Sequence, residues 1–238
     1  MCTHCNRYND TQSLSFDDTV GLSGHVNGCR VVQAFIQKFG DALDVMKLFT
    51  KKQDHIKLAM AKHGNYVIQC IIKRGEWYSE LEQIKKFRNR FINDVFTERR
   101  IEALSVEKAG SHVIESCIRV GSRKQLNQMI NAMKRNKASL LKMLFWDQFG
   151  NYVIGTLLEK CSRDQQEALV HVIHHHVADL TGNTMYSNGF DSYFRAKNVL
   201  ALCRDIKWAM DGMERDHSGC SRKRGNGKWT EGDFPELR

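Results

Sequence analysis

The sequence contains one proline among its 238 residues. Proline interrupts helices because it lacks a backbone N–H and clashes with the preceding turn, so its scarcity favours a helical chain. No uninterrupted apolar run approaches the roughly 18 to 20 residues that a helix needs to cross a bilayer. Met1 is also not followed by the apolar core of a secretory signal peptide. These absences predict a soluble, intracellular protein, and we expect it in the cytoplasm.

Eight cysteines are spread along the chain, without any signal for an oxidising compartment. We therefore expect reduced thiols rather than a disulfide framework. Cys70 and Cys117 lie in apolar helical segments, where a thiol packs as a small core residue. The segment Cys2-Thr-His-Cys5 has the spacing of zinc ligands, but no second ligand pair stands at a suitable distance. The sequence therefore predicts no metal site.

Signatures of catalysis are also missing. The sequence has no Gly-rich phosphate loop, no metalloprotease motif and no nucleophile elbow. We predict that the protein is not an enzyme and uses no cofactor. Its 36 Lys and Arg residues outnumber its 27 Asp and Glu residues, which gives a net charge of +9. That excess permits a polyanionic partner such as nucleic acid without proving one.

A six-residue motif occurs four times in the chain. Each copy begins with Gly, continues with two variable residues and an apolar pair, and ends with a third variable residue. The copies are Gly28-Cys-Arg-Val-Val-Gln33, Gly64-Asn-Tyr-Val-Ile-Gln69, Gly110-Ser-His-Val-Ile-Glu115 and Gly150-Asn-Tyr-Val-Ile-Gly155. The glycines stand 36, 46 and 40 residues apart, a period typical of a helical solenoid. The sequence thus predicts an all-α repeat protein.

Each repeat is interpreted as two or three helices. In the second repeat we expect a helix over Gln53–Lys62, then Gly64 as its left-handed C-cap, and a new helix from Asn65. The new helix buries an apolar stripe of Val67, Ile68, Ile71 and Ile72. Apolar spacing predicts further helices over Leu81–Ile92, Lys124–Met133 and Gln165–Val177, and a C-terminal helical cap within Phe190–Met210. A cap at the N-terminal end of the array is not evident.

Three positions of the motif change chemistry from copy to copy. The first variable position holds Cys29, Asn65, Ser111 and Asn151, the second holds Arg30, Tyr66, His112 and Tyr152, and the third holds Gln33, Gln69, Glu115 and Gly155. Stacking of the repeats would align these side chains in a row. A flat side chain between two polar groups provides what a nucleic-acid base needs, namely a stacking platform and hydrogen bonds to its edge.

Helix capping is the competing explanation of the motif, with Gly ending one helix and Asn or Ser capping the next. It accounts for the Asn and Ser residues at the first variable position but not for Cys29, which is a poor cap. A capping box also requires Glu or Gln three residues after the cap, whereas here the third variable position stands four residues after it. Capping does not explain the recurring flat side chains, and we therefore favour base recognition.

The four repeats closely resemble the RNA-binding repeats of the Pumilio (PUF) family, in which a helix carries two edge-reading residues and one stacking residue per base. The resemblance extends from about Leu22 to Cys161, and the order of the variable residues resembles that of the family's fifth to eighth repeats. It implies a right-handed α-solenoid of stacked three-helix repeats, equivalent to the C-terminal half of a PUF domain.

The resemblance also implies which base each repeat reads. In that family Cys with Gln reads adenine, Asn with Gln reads uracil, and Ser with Glu reads guanine. The implied edge readers are Cys29 and Gln33 for adenine, Asn65 and Gln69 for uracil, Ser111 and Glu115 for guanine, and Asn151 for a further uracil, while Arg30, Tyr66, His112 and Tyr152 stack on the bases. Because RNA runs antiparallel to the protein in the family, the implied target is 5′-UGUA-3′.

The biological role implied by the resemblance is post-transcriptional regulation. A monomer would bind UGUA elements in mRNA 3′ untranslated regions and act by translational repression or mRNA decay. Co-regulators of the family often engage the region that corresponds to about Val120 to Lys142. Two alternatives stay open, a nucleolar-type Pumilio-like binder with little sequence preference and a protein-interaction solenoid with degenerate RNA binding.

Two departures from the family pattern bear on affinity. Gly155 replaces the expected Gln, so one edge contact to the first uracil is missing and we expect a relaxed preference there, since a lost hydrogen bond costs about 1 kcal/mol. Only four of the usual eight repeats are recognisable, which predicts weaker binding by a fragment or by a protein that relies on partners.

The predicted organisation has three parts. Residues 1–19 form a disordered segment, residues 20–210 a partial Pumilio-repeat domain, and residues 211–238 a disordered basic tail. The repeats within the domain cover about 20–50, 51–93, 94–136 and 137–178, followed by the C-terminal helical cap at 179–210.

Overall fold

The computed structural model describes residues 21–38, 52–77, 82–135, 139–175 and 198–207. Within these ranges the regular structure is α-helical and no strand occurs, which confirms the all-α prediction. The helices are α1 Gly28–Lys38, α2 Lys52–Met60, α3 Gly64–Trp77, α4 Glu82–Val95, α5 Glu98–Ser105, α6 Lys108–Val120, α7 Arg123–Arg135, α8 Ser139–Trp146, α9 Gly150–Lys160 and α10 Arg163–His175. Residues 198–207 are helical as well. None of these helices combines the length and apolar character needed to span a membrane.

The chain divides into two compact units, Met1–Phe87 and Arg88–Arg238. In the first unit α3 packs against both α1 and α2. In the second unit the triplet α5, α6 and α7 is followed by the triplet α8, α9 and α10, and each helix of one triplet packs on its counterpart in the other. The three-helix repeat implied by the family resemblance is therefore complete in these two copies.

The predicted helices are found close to their expected positions. Those over Gln53–Lys62, Leu81–Ile92, Lys124–Met133 and Gln165–Val177 correspond to α2, α4, α7 and α10. Of the predicted C-terminal cap, residues 198–207 are described and are helical, and the remainder of Phe190–Met210 lies outside the described residues. The predicted disordered segments, 1–19 and 211–238, also lie outside them, and the repeat boundaries remain predictions.

Each motif glycine is placed against the backbone of a leucine six residues earlier. A Cβ on Gly28, Gly64, Gly110 or Gly150 would lie nearer than 3.0 Å to the backbone oxygen of Leu22, Leu58, Leu104 or Leu144, respectively. Only glycine allows this approach of the motif helix to the preceding turn. The left-handed C-cap predicted for Gly64 is wrong, because Gly64 is the first residue of α3 and does not have a left-handed φ. The glycine is required by close contact instead.

The apolar stripe predicted for α3 is buried, with Val67, Ile68, Ile71 and Ile72 all at most 2% exposed. The residues three and seven positions after the motif glycine are 0 to 2% exposed in the last three repeats, namely Val67, Ile71, Val113, Cys117, Val153 and Leu157. In the first repeat the equivalent residues are exposed, Val31 to 65% and Phe35 to 40%. These two positions of α1 are thus more exposed than their equivalents in the other three repeats.

A polar contact that the sequence analysis missed joins successive repeats of the second unit. The backbone N–H of Ser122 donates to Gln125 Oε1 at 2.9 Å, and the Gln125 Nε2 donates to Asn93 Oδ1 of α4 at 3.0 Å. The same arrangement recurs one repeat later, where Ser162 donates to Gln165 Oε1 at 3.1 Å and Gln165 Nε2 donates to Asn127 Oδ1 at 2.7 Å. Both glutamines are buried. Each Ser-x-x-Gln segment thus caps its own helix and also ties it to the previous repeat.

A matched pair of substitutions tests the exposure difference between the first and second repeats. We expect Val67→Ala to destabilise the protein by about 2 kcal/mol, because it removes two buried methyl groups. Val31→Ala should change stability by less than about 0.5 kcal/mol, because its side chain lies on the surface. Both changes have the same effect on helix propensity, so urea unfolding of the two variants isolates burial. Equal losses would show that α1 is covered.

A second pair tests the close approach of the motif glycine within one helix. In α9 a Cβ on Gly150 would lie 2.7 Å from Leu144 O, whereas a Cβ on Gly155 has no neighbour within 4 Å. We expect Gly150→Ala to destabilise by about 1 to 3 kcal/mol through this clash. Gly155→Ala should stabilise by about 0.5 to 1 kcal/mol, because alanine restricts the unfolded chain. Thermal and urea unfolding measure both, and a Gly150→Ala variant as stable as wild type would contradict the contact.

Candidate nucleic-acid interface

The second variable position presents a flat side chain at the surface in every repeat. Tyr66 is 46% exposed, Tyr152 is 65% exposed, the side chain of His112 is 52% exposed, and Arg30 is exposed as well. In the first unit the Arg30 guanidinium lies over the Tyr66 ring, with Cζ 5.7 Å from the ring centroid. This is the geometry of a cation–π contact between neighbouring repeats. The structure therefore provides exposed platforms on which planar groups can stack.

The first variable position is buried in every repeat. Its side chains are between 1% and 7% exposed, and each donates a hydrogen bond to a backbone carbonyl of the preceding turn. The pairs are Cys29 Sγ to Val26 O at 3.3 Å, Asn65 Nδ2 to Ala61 O at 2.9 Å, Ser111 Oγ to Lys108 O at 3.0 Å and Asn151 Nδ2 to Asp147 O at 3.0 Å. These hydrogen bonds hold the side chains of the first variable position in place, next to the exposed side chains of the second position.

The same hydrogen bonds exclude the simple capping explanation of the motif. An N-cap side chain accepts from a backbone N–H ahead of it, whereas these four side chains donate to carbonyl groups behind them. Ser111 also lies inside α6, whose N-cap residue is Glu107, and α9 has Phe149 at its N-cap. The first variable residues therefore link the motif helix to the turn that precedes it.

The third variable position is half-buried and, in the first unit, held within its own helix. Gln33 Nε2 donates to the carbonyl oxygen of Cys29 at 3.0 Å. Gln69 Nε2 donates to Asn65 Oδ1 at 3.0 Å, which joins the first and third variable positions directly. The two amides predicted to read one base in the second repeat are thus already in contact in the free protein.

Glu115 in the third repeat has a more elaborate environment. Its side chain is 16% exposed, and Oε1 lies 3.6 Å from His112 Nδ1. The other oxygen, Oε2, lies 3.4 Å from an Arg119 guanidinium nitrogen and accepts from Thr156 Oγ1 at 3.4 Å. Thr156 belongs to α9, so the carboxylate is held by its own repeat and by the next one. The arrangement places a charged acceptor beside an exposed imidazole.

The fourth repeat has no side chain at the third variable position. A Cβ on Gly155 would have no neighbour within 4 Å, so the glycine is not required by packing and leaves open space beside Tyr152. Asn151 and Tyr152 are placed as in the other repeats, but residue 155 contributes no polar side chain beside them. The repeat retains a stacking platform and lacks an edge contact.

Arg119 and Thr156 are the neighbours of this surface that the sequence analysis did not identify. The four-residue spacing of Glu115 and Arg119 on one helix would have predicted their contact. The contact of Thr156 with Glu115 joins residues on separate helices, and no pattern within one repeat indicates it.

Neither a metal site nor a reactive thiol is supported within the described part of the chain. Among these residues, no group of three His, Cys, Asp or Glu side chains could hold a metal ion, and Cys2 and Cys5 lie outside the described ranges. None of the five described cysteines forms a disulfide, namely Cys29, Cys70, Cys117, Cys161 and Cys203. Burial raises the pKa of the Cys161 thiol to about 11 and that of Cys203 to about 12, and it also raises the pKa of Cys117. These three thiols stay protonated at neutral pH and pack as apolar groups.

The motif repeats match a known family of repeats. The model of the Pumilio-family RNA binding repeat matches residues 18–50, 56–76, 100–133 and 147–174. Pumilio domain-containing protein C6G9.14 of Schizosaccharomyces pombe is 30% identical over 155 residues, which are 65% of this chain and 21% of that protein. Fem-3 mRNA-binding factor 1 of Caenorhabditis elegans is 26% identical over 157 residues, which are 56% of this chain and 24% of that protein. The chain thus spans about a quarter of the length of these relatives.

Solved structures show the same fold. A crystal structure of PUF-8 in complex with PBE-RNA matches with a TM-score of 0.63 and 22% identity, over 80% of this chain and 50% of that one. The Puf3 RNA binding domain bound to a Cox17 RNA 3′ UTR recognition sequence matches with a TM-score of 0.62 and 24% identity, over 79% of this chain and 54% of that one. The predicted fold of stacked Pumilio-type helical repeats is confirmed by these likenesses.

Proposed function

Because the chain belongs to the Pumilio family of RNA-binding repeat proteins, we propose that it binds single-stranded RNA and recognises a UGUA-type sequence. The observation that carries this proposal is that the three variable positions show a similar order of burial from repeat to repeat. In all four repeats a rigidly held first residue underlies an exposed flat residue, and in three of them a half-buried polar residue lies beside these two. The three variable residues of one repeat can therefore bind one base, which stacks on the flat residue and presents its edge to the two polar residues.

Guanine is assigned to the third repeat on chemical grounds. A carboxylate is a pure acceptor, and guanine presents two donors, the ring N–H and the exocyclic amine, on one edge. The partial exposure of Glu115 leaves its carboxylate within reach of a base that stacks on His112. Adenine, with its different donor and acceptor pattern, would leave a lone pair opposite a lone pair and would be disfavoured.

Uracil and adenine are assigned to the first unit. The contact between Gln69 and Asn65 presents adjacent amide groups, which can both donate to and accept from a uracil edge. Cys29 and Gln33 would face adenine, and the stacked Arg30 and Tyr66 provide the flanking platforms. The order of the four repeats then corresponds to 5′-UGUA-3′ in the antiparallel direction, with a relaxed first position at Gly155.

Regulation of mRNA through 3′ untranslated regions, by translational repression or decay in the cytoplasm, is the role we propose for this binding. The RNA-bound Puf3 domain and the name of the Fem-3 mRNA-binding factor support it by analogy. Four stacked bases at about 1 to 3 kcal/mol each would bind more weakly than the larger number expected for a longer array. We therefore expect binding by this chain alone to be modest and strongly dependent on salt.

The proposed assignment of repeats to bases can be tested by replacing the two edge-reading residues of the third repeat. Fluorescence anisotropy should show tighter binding of wild type to a UGUA RNA than to ACUA and UUUA controls. The double variant Ser111→Asn, Glu115→Gln should favour UUUA over UGUA, with the preference changed by about tenfold or more, because a bidentate contact discriminates by about 1 to 3 kcal/mol.

Equal affinity of wild type for UGUA and ACUA would overturn the sequence-specific proposal, and a steep salt dependence without sequence dependence would indicate a non-specific binder. If the double variant still prefers guanine, the assignment of repeats to bases is wrong. Glu167→Gln is a control, because it makes the same Glu-to-Gln change on the solvent side of α10. It should leave the affinities for UGUA and UUUA unchanged.

The fourth repeat allows a gain-of-specificity test. Gly155→Gln should raise the preference for uracil at the first base by about threefold to tenfold, because it adds the missing edge contact at a place with room for a side chain. Gly155→Ala is the matched control, since it adds a Cβ without an amide. Anisotropy with UGUA and AGUA RNAs measures the effect, and an equal change in both variants would contradict an edge contact at residue 155.

A further inference from the structure

We propose that Thr156 is a positioning residue for guanine recognition, with its hydroxyl fixing the Glu115 carboxylate from the neighbouring repeat. The inference rests on the proposed function and extends it, because it assigns part of the specificity of one repeat to a residue in the next. The observation is the hydrogen bond from Thr156 Oγ1 to Glu115 Oε2, at 3.4 Å, between helices α9 and α6.

The two groups on Glu115 Oε2 differ in how firmly they can hold it. The Arg119 side chain is 57% exposed and reaches Glu115 from one turn further along the same helix, so its ion pair is screened by water. Thr156 is buried, and its β-branched side chain is stiff about χ1. Thr156 is therefore the contact that can set the direction of the carboxylate.

The number of lone pairs on the Glu115 carboxylate also distinguishes the role of Arg119 from that of Thr156. A carboxylate offers about four acceptor sites, two on each oxygen, and the two on Oε2 are occupied by Arg119 and Thr156. A guanine that uses both oxygens must displace one of these donors. The exposed Arg119 is the one that can move away, whereas Thr156 stays in place and keeps the plane of the carboxylate aligned with the incoming base.

The equivalent contact in the first unit is different. Cys70 occupies the same place as Thr156, six residues after the motif glycine, and its Sγ lies 4.0 Å from the backbone oxygen of Gln33. A thiol is a weak donor, and this contact is made to a backbone oxygen. In this comparison the carboxylate of Glu115 is paired with a hydroxyl donor, whereas Gln33 lies near a thiol.

The test compares Thr156→Val, which keeps the shape but removes the hydroxyl, with Thr156→Ser, which keeps the hydroxyl. Anisotropy is measured with a UGUA RNA and a UAUA RNA. We expect Thr156→Val to lower the guanine-to-adenine affinity ratio by about threefold to tenfold, mainly through weaker UGUA binding, as for loss of one hydrogen bond. Thr156→Ser should retain the ratio. Circular dichroism and melting temperature show whether each variant is folded, and Thr156→Ala replaces the valine variant if that one does not fold.

The outcomes separate this inference from the function on which it rests. If wild type prefers guanine and the variant without the hydroxyl keeps the full preference, Thr156 has no positioning role and the proposed function stands. An equal loss of affinity for both RNAs would likewise make Thr156 merely structural. If wild type binds both RNAs equally, the proposed recognition is overturned, and the positioning role is overturned with it. Arg119→Gln serves as a contrast, since it should weaken both RNAs together through loss of positive charge.

Discussion

The close approach of each motif glycine to the backbone of a leucine six residues earlier is the constraint on which the other features depend. It occurs at all four copies, and at each of them a single β-carbon would be too close to the leucine carbonyl. The contact brings the start of the motif helix against the preceding turn in the same way in each repeat. The residues one, two and five positions after the glycine show a similar grading of burial from repeat to repeat. Variation in their chemistry then changes the surface without changing the scaffold.

The three variable positions are held to different degrees, and this grading explains how one helix could both stack on a base and read its edge. The first is anchored by hydrogen bonds to the preceding turn, the second projects into solvent, and the third is half-buried beside the first. A residue whose rotamer is fixed before binding loses little entropy when it makes a contact. Glu115 extends this principle beyond a single repeat, because α9 contributes to the orientation of a side chain on α6.

Contacts between repeats are of two kinds in the second unit. Apolar residues of the motif helices supply the buried area, and the glutamines of the two Ser-x-x-Gln segments add hydrogen bonds with defined partners. Apolar burial is tolerant of small shifts in register, whereas a buried amide must find its partner or lose free energy. The first repeat has apolar residues at the same positions as the others, yet Val31 and Phe35 are exposed, so an apolar residue in the motif does not by itself ensure burial.

The sequence by itself determined the helical class, the repeat and the positions of the helices, because hydrophobic periodicity and glycine spacing are local properties that survive without knowledge of the partners. It also identified the variable residues, whose recognition of particular bases remains a prediction. It misjudged the reason for Gly64, since a left-handed cap and a close backbone contact both favour glycine and only coordinates distinguish them. The exposure of Val31, the ties through Gln125 and Gln165, and the contact of Thr156 with Glu115 were decided by the tertiary structure alone. The hydrogen bonds join residues more than thirty positions apart, and the exposure of Val31 depends on tertiary packing, so no local pattern carries that information.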